Sequence, residues 1–165
     1  MILPDLLAPD LDIVFCGTAV GAASARRRAY YAGPGNAFWP TLHLVGLTPR
    51  QLQPEEYATL LDFGIGLTDL AKEVSGNDDI LTRAHFHVDR LKAIIAQYRP
   101  RIIAFTGKRA AQEFLGHAVG YGLFPEKEGE TSVFVLTSPS GAACRYWSAA
   151  PWHELARLRH SRYAD

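Results

Sequence analysis

Ile13-Val14-Phe15-Cys16-Gly17-Thr18-Ala19-Val20-Gly21 is the stretch on which the fold turns. Four apolar residues run directly into a small, glycine-bearing segment. Continuous rather than alternating apolarity marks a strand covered on both faces. Two further runs share the form, Ile102-Ile103-Ala104-Phe105 and Val133-Phe134-Val135-Leu136. Their exits are alike: Thr106-Gly107-Lys108 and Thr137-Ser138-Pro139-Ser140-Gly141. Such exits suit ordinary strand-to-helix turns, and they equally let backbone N–H groups approach a ligand.

Helical patterns lie between the runs. Thr82 to Tyr98 places Ala84, Val88, Leu91, Ile95 and Tyr98 on one face, and Pro100 stops it. Lys108 to Leu115 reads as a second helix, with shorter candidates at Phe38 to Val45 and Glu55 to Leu61. A last helix runs through Trp152 to Arg162 behind Pro151. Strands alternating with helices imply an α/β sandwich with a largely parallel sheet, and such sheets place ligands at the carboxyl ends of their strands.

The chain has 165 residues, 48% of them hydrophobic, which implies one domain, 1–165, with a sizeable core. Lys+Arg and Asp+Glu are both 17, so bulk charge gives no argument for nucleic-acid binding and leaves only local patches to supply one. The two cysteines, Cys16 and Cys144, cannot form a four-thiolate cluster, and a reducing cytoplasm is the expected location. No apolar run reaches the roughly 18 residues of a membrane span. The first ten residues carry two acids and no basic residue, unlike a signal peptide.

Several familiar motifs fail. Gly107-Lys108 lacks the earlier glycine and the following Ser/Thr of a phosphate loop. No Gly-x-Gly-x-x-Gly occurs. His85 and His87 point to different faces of the predicted helix and have no third metal ligand nearby. Ser140 is not in a nucleophile elbow.

Read in order, five segments resemble the uracil-DNA glycosylase superfamily, and within it the branch of thymine-DNA glycosylase and the mismatch-specific uracil-DNA glycosylase. They are Leu7-Ala8-Pro9 with Val14 to Gly21, Tyr30-Tyr31-Ala32-Gly33-Pro34-Gly35-Asn36-Ala37-Phe38-Trp39, Gly64 to Asp69, Arg99 to Lys108, and Ser138-Pro139-Ser140-Gly141-Ala142-Ala143. Each is weak alone; their order from Leu7 to Arg145 carries the resemblance. It implies a three-layer α/β/α sandwich and a monomer acting on DNA that contains uracil or a related lesion. The base is extruded into a pocket and its N-glycosidic bond hydrolysed, the first step of base excision repair. Fixed N–H donors stabilise the departing base. No metal, cofactor or covalent nucleophile is required, and work at a bacterial nucleoid is expected.

The family's first motif carries an Asn that positions water, whereas Ala19 stands here. Three explanations follow: a catalytically silent binder of lesions or abasic sites, another water-positioning group, or leaving-group stabilisation alone. The substitute groups are Asp69, Asn36, Thr18 and Ser138; Asp69 also suits a capping role, and Asn36 a turn. The final motif opens with Ser138 rather than His, Asn or Met. The catalytic candidates are Asp69, Asn36 and Ser138. The resemblance assigns base binding to Thr18, Ala19, Tyr31, Asn36 and Ser138, with the Tyr31 ring stacking on the base. Phe38 and Trp39 read as core.

For the DNA grip, Arg26-Arg27-Arg28 is expected at the pocket rim, where it would contact phosphates. Ser140, Gly141, Ala142 and Ala143 form the family's DNA-facing loop, and Arg145 is the candidate wedge for the hole left by the base. Arg157, Arg159, His160 and Arg162 read as a solvated helix face.

Overall fold

The computed structural model of the chain describes residues 1–76 and 81–164, excluding the side chains of 83 and 162–164. Its strands are β1 (Ile13–Gly17), β2 (Ile65–Asp69), β3 (Ile102–Phe105), β4 (Gly122–Leu123) and β5 (Ser132–Val135). They form one sheet in the order β2-β1-β3-β5-β4. All neighbours pair in parallel except β4, which runs antiparallel to β5 at the edge. The helices are α1 (Ala22–Arg27), α2 (Phe38–Leu44), α3 (Val88–Tyr98), α4 (Lys108–Leu115) and α5 (Ala150–Ala164).

Alternate residues of β1, β3 and β5 feed two cores. Ile13, Phe15, Leu67, Ala104 and Phe134 pack with Phe38 and Leu42 of α2 and Trp152 and Leu155 of α5. Val14, Cys16, Ile103, Phe105 and Val135 pack with Leu91 and Ile95 of α3 and Ala111 and Phe114 of α4. The result is the expected three-layer α/β/α sandwich. Phe15 lies stacked against Trp152 with ring centroids 5.8 Å apart, and both are fully buried. Each side chain of this size contributes about 1.5–3 kcal/mol by leaving water.

The three apolar runs become β1, β3 and β5. Strand β2 gives no comparable signal, because Gly66 and Thr68 interrupt its apolar pattern. Both are buried for local reasons. Leu6 crosses β2 and exchanges two backbone hydrogen bonds of 2.9 Å with Leu67. A Cβ at Gly66 would lie 2.5 Å from the Leu6 carbonyl oxygen. Thr68 Oγ1 donates to Asp5 Oδ1 at 2.7 Å.

The predicted Thr82–Tyr98 helix begins only at Val88. The Thr82 N–H donates to His85 Nδ1, and the His87 N–H donates to the Leu70 carbonyl, which holds this approach as a 3-10 turn over Arg83–His85. Ala84 is consequently exposed rather than on a buried face. Glu55 to Leu61 lies within a 3-10 segment, Pro54–Phe63, opened by Gln53 and Glu56 bonding to each other's backbone. On α5, Arg159 is not a solvated residue: it pairs with Asp12 at 3.4 Å and donates to the Phe63 carbonyl at 2.7 Å. The side chain of Arg162, named with it from sequence, lies outside the described residues.

Gly66→Ala should lower the unfolding free energy by about 1–3 kcal/mol, the range for forcing a methyl into a packed site. Urea unfolding of the two proteins measures it.

Candidate active site

The carboxyl ends of β1, β2, β3 and β5 open into a cleft of about 660 Å³. Its walls include Thr18, Ala19, Tyr31, Asn36, Asp69, Thr106, Ser138 and Ser140. All three strand exits that the sequence singles out therefore meet in one place.

Gly17 explains how they meet. A Cβ on it would lie 3.0 Å from Asp69 Oδ1, 3.3 Å from Thr106 Oγ1 and 3.5 Å from the Tyr31 hydroxyl oxygen. Parallel register sets Gly17 beside Asp69, so only a bare residue lets the three polar groups converge. The Tyr31 and Thr106 hydroxyls hydrogen-bond at 3.0 Å. Tyr31 also stacks on Phe38, with centroids 3.9 Å apart and planes 20° from parallel. Its backbone is left-handed, φ 54°, a conformation costing about 1–3 kcal/mol that these contacts sustain.

Asp69 ends β2 and is neither a loop nor a helix cap. It is 3% exposed, and no hydrogen-bond donor reaches Oδ2 among the described residues. Burial pushes its carboxyl up to about 6, opposed by the Lys72 ammonium and the Gly17 backbone N–H. A buried carboxyl with an unpaired acceptor, titrating near neutrality, suits general-base work.

Lys72 is a member of the site that nothing in the sequence singles out. It is 2% exposed, and its Nζ lies 3.0 Å from Asp5 Oδ1 and 3.8 Å from Asp69 Oδ2. It donates to the Tyr30 hydroxyl at 3.1 Å. Arg90 pairs with the other Asp5 oxygen. The sequence signal is faint, because an acid and a base three apart suggest a helix pair, whereas this pair straddles a strand end. Thr106 likewise reads from sequence as no more than a turn residue.

The polar candidates divide their bonding. Asn36 Oδ1 accepts the Phe38 N–H at 2.9 Å, so its oxygen holds the entry to α2. Ser138 Oγ accepts the Ser140 N–H and Ser140 Oγ accepts the Ala142 N–H, both at 3.3 Å. The Gly-Pro-Gly-Asn segment and the final motif form one rim. The Ala37 N–H donates to the Pro139 carbonyl at 2.8 Å, and a Cβ on Gly141 would lie 2.8 Å from the Pro34 carbonyl oxygen. Gly141, Ala142 and Ala143 line the cleft on that rim.

The basic residues fit the sequence reading less well. Arg26, Arg27 and Arg28 do not line the cleft; they occupy the end of α1 away from it. Arg27 is tied down structurally, with a bidentate pair to Glu55 and a 2.8 Å bond to the Ala32 carbonyl. Arg26 and Arg28 are exposed. Arg145 lies outside the cleft lining, its guanidinium 5.6 Å from the centre of the Tyr146 ring.

Fold and cleft together define an α/β sandwich with a pocket of mixed polar and apolar lining at its strand ends and a buried carboxyl among the lining residues. A sequence model of the uracil DNA glycosylase superfamily matches residues 4–161, and the chain belongs to that superfamily. Its fold is similar to the solution NMR structure of a candidate uracil DNA glycosylase from Methanosarcina acetivorans. The TM-score is 0.63 and the identity 23%, over 96% of this chain and 95% of that one.

Tyr31→Phe should cost about 1 kcal/mol, one hydrogen bond to Thr106. Tyr31→Ala should cost about 3–5 kcal/mol through the lost ring packing. Thermal unfolding of both variants checks the ordering.

Proposed function

We propose that the protein is a monofunctional DNA glycosylase that hydrolyses the N-glycosidic bond of uracil, and of related deaminated or alkylated bases, to begin base excision repair. Its Gly-Pro-Gly-Asn-x-Phe-Trp segment favours the mismatch-specific branch. The observation that carries the reading is Asp69, a buried carboxyl that lines the cleft and has one oxygen without a hydrogen-bond donor among the described residues.

Asp69 takes the part that Ala19 cannot. With the target base extruded into the cleft, the bond between the sugar C1′ and the base breaks and the sugar gains oxocarbenium character. Water adds to C1′ and gives its proton to Asp69, while the electron pair of the broken bond leaves with the base. Asn36 is assigned to base binding, since its Oδ1 is engaged and its amide N–H groups are the donors left for a base carbonyl. Ser138 is assigned the same way: its Oγ accepts the Ser140 N–H and its O–H is left to donate. Thr18 and Ala19 complete the pocket wall, with Tyr31 as the aromatic face toward the base.

Only ionised Asp69 can accept the proton, and its carboxyl titrates at about 6. Single-turnover excision from a uracil oligonucleotide should therefore rise about tenfold per pH unit below 6 and level off above 7. Asp69→Asn should lower the plateau by about 10²-fold or more and remove the acidic limb. Chelator should leave the wild-type rate unchanged. No excision at enzyme excess, with retained binding to lesion DNA, would replace this reading with the silent binder.

Of the arginine triplet, Arg26 and Arg28 are assigned to phosphate contact. Neutralising both should flatten the salt dependence of duplex binding by up to about 0.9 for each phosphate that is no longer neutralised. Arg27→Gln should instead lower stability with the slope unchanged. Binding titrations across a salt series, with melting curves, separate the two effects.

A further inference from the structure

Behind the cleft floor lies a row of alternating charges that no step above uses. Arg90, on α3, pairs with Asp5, and Asp5 Oδ1 lies 3.0 Å from Lys72 Nζ. Lys72 Nζ in turn lies 3.8 Å from Asp69 Oδ2, the oxygen that no donor reaches among the described residues. Lys72 does not line the cleft, so it does not meet the substrate directly.

Its placement is fixed from several sides. Asp5 accepts from Thr68 at 2.7 Å, and the Tyr30 hydroxyl, which accepts from Lys72, donates to the Pro4 carbonyl at 2.9 Å. The Ile2 N–H donates to the Lys72 carbonyl at 2.7 Å. Segment 2–6, ahead of β1, thus clamps the lysine under the site. Asp5 is the nearer carboxylate, leaving Lys72 close enough to Asp69 to act on its charge but too far to hydrogen-bond its unpaired oxygen.

We propose that Lys72 is a positioning residue for base excision: locked by Asp5 and Tyr30, its ammonium holds the Asp69 carboxylate charged without donating a hydrogen bond to Oδ2. The inference rests on Asp69 as the proton acceptor. Other groups also act on Asp69 and Lys72. Cys16 of β1 and Tyr31 face Asp69, and Glu73 and Tyr57 lie within electrostatic reach of Lys72.

The test follows Asp69 by carboxyl-carbon NMR, assigned with Asp69→Asn, alongside the pH profile of single-turnover excision. In Lys72→Met the Asp69 midpoint should rise by more than one pH unit, and the acidic limb of excision should rise with it. Lys72→Arg keeps the charge and should hold both near their wild-type positions. A folded Lys72→Met protein with an unmoved midpoint overturns the inference. A midpoint that moves while the excision limb stays fixed overturns the role of Asp69 as acceptor instead. Should Lys72→Met fail to fold, the wild-type protein decides. The Lys72 ε-carbon resonance should show an inflection at the Asp69 midpoint that disappears in Asp69→Asn, and its absence overturns the coupling.

Discussion

The Asp69 carboxylate and the Lys72 ammonium lie 3.8 Å apart where water hardly reaches. Two charges out of water are costly, and removing one partner of such a pair typically costs about 3–5 kcal/mol. The surroundings are arranged to sustain both. Asp5 and Tyr30 satisfy the ammonium, while the Gly17 N–H helps the carboxylate. A fully paired carboxylate would be comfortable and inert. Asp69 is left one partner short, at Oδ2.

The sheet makes that arrangement possible. Parallel pairing of β1 with β2 and β3 brings Gly17, Asp69 and Thr106 to one edge, and the two flanking cores fix the strands against rotation. The segment ahead of β1 is part of the same construction, since Leu6 pairs with β2 and Asp5 reaches Lys72. Residues far from the cleft in sequence therefore set its electrostatics.

How much of this is legible in the sequence depends on the kind of signal. Continuous apolar runs announce β1, β3 and β5, and the glycine-bearing exits point to the cleft. Strand β2 is hidden because its pattern answers to a crossing backbone at Gly66 and a side-chain bond at Thr68, neither of which leaves a periodic trace. Asp69 is visible as a polar motif position, but its burial is not. Lys72 is invisible because its partners lie at Asp5, Tyr30 and Asp69, a grouping that only the folded chain creates. The arginines mislead for the opposite reason. Adjacent charges look like a patch in sequence, yet Arg27 and Arg159 are each tied to an acid and a backbone carbonyl.

The raised Asp69 midpoint also links catalysis to the folding equilibrium. In the unfolded chain an aspartate titrates near about 3.9; in the folded protein it does so at about 6. The folded state therefore holds this proton more tightly. The resulting contribution to stability is fully present below the unfolded value and is lost as pH rises through 6. The form of Asp69 that can accept a proton is the form the fold tolerates least. Working pH and greatest stability are thus set in opposition at this residue, and substitutions that relieve the buried charge trade turnover for robustness.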